Sequence, residues 1–192
     1  MNAKLKELND IIHSCIEELY TKDFALICNN VSERAITHKL AEYLQKRFTE
    51  YHVDCEYNRN YEKGRGKPKY LKVISDDTLR KSKAIIDKAC SNNENGTIEP
   101  DDLESLTEVS TYPDIIVHQR LTNKKNLIVI EVKKDNSNVS DDTDINKLKA
   151  FTSCNDENDY KYDFGVFIRL PIKDPKWEPK IKWFQNGDVL RL

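Results

Sequence analysis

Residues Asn126 to Lys134 read N-L-I-V-I-E-V-K-K. Side chains of a strand alternate between its two faces, and here both faces are apolar until Glu131. A strand of that kind is a central strand, covered by other layers on both sides. Asp114–His118 (D-I-I-V-H) has the same character, and Phe164–Leu170 (F-G-V-F-I-R-L) gives a third apolar strand. Between the last two, Thr143–Thr152 carries Ile145, Leu148 and Phe151 at helical spacing.

Upstream, Leu5, Leu8, Ile12, Cys15 and Leu19 predict an amphipathic helix over 4–20. Phe24–Cys28 is a short apolar run that fits either a strand or a helix. A second helix is expected from Val31 to Phe48, with Ile36, Leu40, Tyr43, Leu44 and Phe48 as its apolar stripe and Asn30 as its N-cap. Val53–Arg59 reads as a strand, Asn60–Lys69 with its G-R-G-K-P as a loop, and Tyr70–Ile74 as a short strand. Helices are expected over Asp77–Cys90 and Asp101–Val109, with a loop at Ser91–Gly96 between them. The tail reads as a hairpin, Ile181–Phe184 and Val189–Leu192 joined by Asn186-Gly187. The order of elements indicates one α/β domain over 1–192, a central mixed β-sheet flanked by helices. Within it, 1–30 form an N-terminal helical segment and about 60–111 an insertion.

Five scattered cysteines with no C-x-x-C pair argue against a zinc site or a disulfide framework. Free thiols fit a reducing cytoplasm. There is no apolar run long enough for a membrane span, and M-N-A-K-L-K-E-L-N-D has no signal-peptide core. The net charge of -2 does not advertise nucleic-acid binding, but its distribution is uneven. Arg59, Lys63, Arg65, Lys67, Lys69 and Lys72 crowd one stretch against the single acid Glu62, whereas Glu94–Asp114 has acids and no Lys or Arg. Such a strip can track phosphates, or it can be a solvated loop.

Glu131 and Lys133 are two residues apart, so they share one face, about 6.6–6.8 Å apart along the strand. Val132 points into the core, and Lys134 shares its face. The short Leu121–Asn126 connection lets the two strands pair antiparallel, which brings Asp114 towards Glu131 and Lys133. Two carboxylates at one place repel and need compensation. A hard divalent cation such as Mg²⁺ supplies it through oxygen ligands, and a lysine beside it can offset charge on a phosphate.

P-D-I-I-V-H followed by L-I-V-I-E-V-K resembles the paired motif of the PD-(D/E)xK nuclease superfamily, the restriction-endonuclease-like fold. The resemblance covers roughly residues 31–59 and 111–170. It implies an Asp and an acid-x-Lys on adjacent strands of a mixed sheet flanked by helices. It implies Asp114 and Glu131 as metal ligands, the Val132 carbonyl as a further ligand, Lys133 as the catalytic lysine, and Mg²⁺ (or Mn²⁺ in its place) as cofactor. The implied reaction is hydrolysis of phosphodiester bonds, with DNA as the nucleic-acid partner.

Members often add an acid from the preceding helix. At 100° per residue, Ile36, Leu40 and Leu44 lie at about 300°, 340° and 20° from Glu33, which centres Glu33 on the sheet-facing stripe. A charge there needs a partner or a metal, unless Glu33 completes an N-cap with Asn30. His38, at about 140°, lies off the stripe. Asp144-x-x-Lys147-Leu148 resembles a helix motif of several nuclease branches, in which Lys147 would approach the scissile phosphate; the alternative is an ordinary exposed helix lysine. Glu56 and Arg59 either face the site or cap the sheet. Three readings compete: a metal-dependent nuclease, a nuclease-like module that binds nucleic acid or protein without cutting, and an unrelated α/β protein in which Glu131 and Lys133 are a structural ion pair. Cutting both strands of a duplex takes two active sites or two visits, and a homodimer would supply the former.

Overall fold

The computed structural model describes residues 3–57, 59–60, 67–68, 70–72, 108–110, 112–154, 160–172 and 178–191. Helix α1 spans Ala3–Lys22, and its repeat of Leu5, Leu8, Ile12, Cys15, Ile16 and Leu19 is entirely buried. The ambiguous Phe24–Cys28 run is a helix, α2. Helix α3 spans Glu33–Arg47 and buries Ile36, Leu40, Tyr43 and Leu44. Its N-cap is Ser32, whose hydroxyl accepts the Ala35 N–H at 3.4 Å, and not Asn30. Asn30 stands in the left-handed region (φ 51°), where it ends the preceding turn. Its side-chain oxygen is taken by Lys134 Nζ and Asn136 Nδ2.

The strands are β1 (His52–Cys55), β2 (Arg59–Asn60), β3 (Lys67–Pro68), β4 (Tyr70–Lys72), β5 (Glu108–Ser110), β6 (Ile115–His118), β7 (Asn126–Lys134), β8 (Phe164–Leu170), β9 (Lys180–Gln185) and β10 (Asp188–Leu190). Helix α4, Asp142–Thr152, links β7 to β8. Six strands form one sheet in the order β1-β6-β7-β8-β9-β10. Every pairing in it is antiparallel except β7 with β8, which is parallel because α4 carries the chain back across the sheet.

Three expectations need correction. The strand expected over Val53–Arg59 breaks after Cys55, because Glu56 turns into the left-handed region (φ 49°) and gives its N–H to Asp114 O at 3.3 Å. Lys67–Pro68, expected in a loop, pairs with Arg59–Asn60. Glu108 and Val109, expected at the end of a helix, lie in β5, with Val109 opposite Leu71 of β4. Pairing with a distant strand overrides a local helical pattern there. Residues 101–107, the helix expected over 77–90 and the loop over 91–96 lie outside the described residues.

The alternation of the central strands sorts two cores onto the two faces of the sheet. Ile115, Val117, Ile128, Ile130 and Val132 pack with Trp183 under α1–α3. Ile116, Val129 and Phe167 pack with Phe184, Tyr160 and Tyr162 under Leu148 and Phe151 of α4. At Gly165 of β8 a Cβ would meet Phe184 Cβ and Thr152 Cγ2, each at 3.2 Å, so α4 closes onto the sheet where a side chain is missing. The tail hairpin turns at Asn186 (φ 53°) and Gly187 (φ 84°), the left-handed pair that an Asn-Gly turn uses. Among the described residues no helix is long and apolar enough to cross a membrane.

Candidate active site

The register of β6 with β7 builds the site. Ile115 lies opposite Ile130, so the next residues outward, Asp114 and Glu131, face each other across the end of the pair. Directly opposed residues of an antiparallel pair share a face, here the face covered by α4. Beyond this point β7 continues for Glu131–Lys134 without β6 beside it. Two carboxylates meet the N–H groups of that overhang. Asp114 Oδ2 accepts from Val132 N at 2.7 Å, and Glu33 Oε2 accepts from Lys134 N at 3.1 Å. In extended chain the N–H and C=O of one residue project to the same edge, so the Val132 carbonyl lies on the edge that Asp114 occupies.

Glu131 has no comparable structural duty. It is 3% exposed, and its Oε1 is buried without a hydrogen-bond partner. Its Oε2 lies 3.6 Å from Lys147 Nζ. Burial pushes its carboxyl well above the usual range and the Asp114 charge adds to this, with Lys147 pulling the other way. Asp114, half-buried, is pushed up to about 6, first by burial. The Val132 N–H and Lys147 lower it, while the charges of Glu33 and Asp144 raise it. Two acids with displaced proton affinities at the end of a buried sheet are the pattern expected of a functional site, although ion-pair networks produce it too.

Lys133 points to the same face as Glu131, as its spacing requires, but it is engaged elsewhere. Its ammonium donates to Asp144 Oδ2 at 2.7 Å and to Ser140 O at 2.9 Å, and stands 3.9 Å from Asp141 Oδ1. The lysine that reaches Glu131 is Lys147, which also donates to Asp144 Oδ1 at 3.2 Å. Burial disfavours the Lys147 ammonium, but Glu131 and Asp144 outweigh it and its pKa is raised. Asp141 in turn holds Arg169 Nη2 at 3.0 Å.

Glu33, in the first turn of α3, is half-buried and faces the sheet, where its carboxylate meets the Lys134 N–H. With Asp114, Arg34, Glu56 and Tyr112 it lines a cavity of about 330 Å³. Glu56 is exposed and pairs with Arg34 at 2.7 Å, and His38 is exposed beside Glu42 at 3.5 Å. Lys134 points away from Glu131, and its ammonium bonds Asn30 Oδ1 and Val31 O. Of the basic strip, Arg59 is exposed in β2, Lys67 lies in β3, and Lys63 and Arg65 lie outside the described residues. Among the described residues no three His, Cys, Asp or Glu side chains stand close enough together to hold a metal ion.

Sequence reasoning missed Asp141 and Arg169, and it did not see Asp144 as the carboxylate shared by both lysines. Asp144 and Lys147 are three apart on one helix, which places them side by side and was a usable signal. Arg169 had none, because its position beside Lys133 depends on the parallel register of β7 with β8. Also unforeseen was Asp54, which accepts from His118 Nε2 at 2.9 Å and Arg120 Nε at 2.8 Å. No family model, no curated protein and no solved structure matches this chain.

Proposed function

We propose that this chain is a metal-dependent nuclease of the PD-(D/E)xK type, with a restriction-endonuclease-like core, that hydrolyses phosphodiester bonds, in the first instance those of DNA. The observation that carries the reading is Glu131: a carboxyl buried opposite a second acid, with one oxygen unpartnered. The two other acids at this place cap strand N–H groups, which is reason enough for them to be there. Glu131 caps nothing, and a buried carboxyl without a full set of partners costs stability, so a structural purpose does not account for it. The sequence pattern points the same way, since Asp114 and the Glu131-x-Lys133 pair lie on adjacent strands of a mixed sheet with helices on both faces.

The donor chemistry, carboxylates and a carbonyl, suits a hard divalent cation, Mg²⁺ or Mn²⁺, around which the three acids would have to draw closer together. Asp114 and Glu131 would hold it, with the Val132 carbonyl on the same edge and Glu33 across the cavity, where one oxygen is already committed to Lys134 N. When bound, such an ion polarises a phosphoryl oxygen and lowers the pKa of a coordinated water. The rest falls to the chain itself. Lys147 and Lys133 place positive charge beside the carboxylates, Asp144 fixes both, and the two cores make the strand ends rigid. Arg59, exposed in β2, belongs to the strip that would track the phosphate backbone.

The test is a cleavage assay with Mg²⁺ or Mn²⁺ on linear, circular and single-stranded DNA and on RNA. The expected result is metal-dependent cutting that falls by about 100-fold or more in Asp114→Ala and Glu131→Ala. Variants that fold and cut like the parent overturn the assignment. One observation favours the alternative of a module that binds without cutting: no three acids are drawn together among the described residues. Calorimetric titration with Mg²⁺ and Mn²⁺ separates the two, because the inert module binds neither at this place.

A further inference from the structure

Six ionisable side chains at the ends of β7 and β8 and the start of α4 form a line of alternating sign. In order they are Glu131, Lys147, Asp144, Lys133, Asp141 and Arg169, each within ion-pair distance of the next. The two lysines occupy different places in that line. Lys133 is the enclosed one, with side-chain exposure of 7% against 22% for Lys147. Its ammonium has three donors, and Ser140 O, Asp144 and the approach to Asp141 account for them. All three partners belong to the entry into α4, so Lys133 fastens the end of β7 to the first turn of that helix. Lys147 lies at the Glu131 end, is more accessible, and holds its two carboxylates at the longer distances of 3.2 and 3.6 Å.

Resting on the nuclease reading, we propose that Lys147, not Lys133, is the lysine that meets the scissile phosphodiester, and that Asp144 is the residue that positions it. The acid-x-Lys spacing then serves two ends: Glu131 belongs to the reaction, and Lys133 keeps the helix that carries Lys147 in place. An ammonium beside Glu131 also competes with any cation for that carboxylate. An incoming phosphate oxygen gives Lys147 an alternative partner of the same sign as Glu131, and the shift is a change of ion-pair partner with no bond made or broken.

The experiment compares Lys147→Met, Lys147→Arg, Lys133→Met and Asp144→Asn in the full chain, at a temperature where circular dichroism shows each variant folded. In the Mg²⁺ cleavage assay, Lys147→Met is expected to lower kcat about 100-fold with little change in KM, and Lys147→Arg to recover part of it. Asp144→Asn should lower kcat by about tenfold, and Lys133→Met should cost at least about tenfold less than Lys147→Met while lowering the urea midpoint. A second measurement needs no turnover. Mn²⁺ affinity by calorimetry should tighten about threefold or more in Lys147→Met and stay within about twofold in Lys133→Met. If Lys133→Met loses cutting and Lys147→Met does not, the lysine assignment is overturned while the nuclease reading stands. If the parent chain cuts nothing, the nuclease reading falls and takes the phosphate role of Lys147 with it. Unchanged Mn²⁺ affinity in Lys147→Met overturns the competition for Glu131, whatever the cleavage assay gives.

Discussion

Asp114→Asn, studied with divalent cations chelated, isolates the strain at the site. The Asp114 carboxyl has an ordinary pKa of 3.8 and stands at about 6 in the fold. The folded protein therefore holds this proton more tightly than the unfolded chain does. Well below pH 3.8 the group is protonated in both states and contributes no pH dependence. As pH rises from there through 6, the unfolded chain releases its proton first, and stability falls until both states are ionised. At about 1.36 kcal/mol for each tenfold difference in proton affinity, the cost above pH 6 is about 3 kcal/mol. Asparagine bears no charge at any pH, and its carbonyl can still accept the Val132 N–H. The difference in unfolding free energy, Asn variant minus parent, should rise by about 3 kcal/mol between pH 3 and pH 8. With a urea slope of about 2 kcal/mol per molar, the gap between the two midpoints changes by about 1.5 M. Titrating groups away from Asp114 cancel, because both proteins are compared at each pH, and Glu131, relieved of the Asp114 charge in the variant, moves the gap in the same direction. If the proposed metal site is right, Mg²⁺ at about 100 times its Kd should add about 2.7 kcal/mol to the parent alone and nearly close the gap at pH 8. A gap that does not change with pH would refute the strain, and one that moves against the Asn variant as pH rises would show Asp114 to be chiefly a cap for the β7 edge.

Two further outcomes test the frame that holds the site. Gly165→Ala puts a methyl 3.2 Å from Phe184 Cβ and Thr152 Cγ2, between α4 and β8. Overpacking of that kind should cost about 1–3 kcal/mol, read as a fall in Tm of about 2–4 °C per kcal/mol. Asp54→Asn tests the cluster with His118 and Arg120. Burial works against the Asp54 carboxylate, but the hydrogen bonds from Arg120 and His118 outweigh it and hold its pKa below 3.8. Its contribution is therefore present above pH 3.8 and is lost as pH falls through the lowered folded value. The variant should be about 1.5–3 kcal/mol less stable at pH 7, by urea unfolding, with the deficit shrinking below pH 4.

How much of this was legible in the sequence depends on whether the determinant was local. The stripes of α1 and α3, the three apolar strands, α4 and the Asn186-Gly187 turn all follow from spacing along a few residues, and each lies where that spacing puts it. The approach of Asp114 to Glu131 was also legible, because a short connection between two apolar runs leaves antiparallel pairing as the simple solution. The N-cap of α3 was misread because Asn30 and Ser32 are both good caps, and what chooses between them is distant. Lys134 and Asn136 bind the Asn30 side chain and leave Ser32 to the helix. Helical spacing at Asp101–Val109 was outvoted at its end by pairing with β4, a contact no local window contains.

The same division explains why the partners of Lys133 were the least legible part of the candidate site. Strand periodicity fixes the face to which a side chain points, and it gave Lys133 the face of Glu131 correctly. It says nothing about what else arrives on that face. Here α4 brings Asp144, Asp141 and the Ser140 carbonyl over Lys133, and brings Lys147 over Glu131. An ammonium 2.7 Å from one carboxylate and 2.9 Å from a carbonyl has little attraction left for a phosphate a strand position away. The acid-x-lysine spacing therefore fixes the face that the two side chains share without fixing their partners. Those partners are set by the helix after the strand, through the carboxylate of Asp144 that both ammonium groups share.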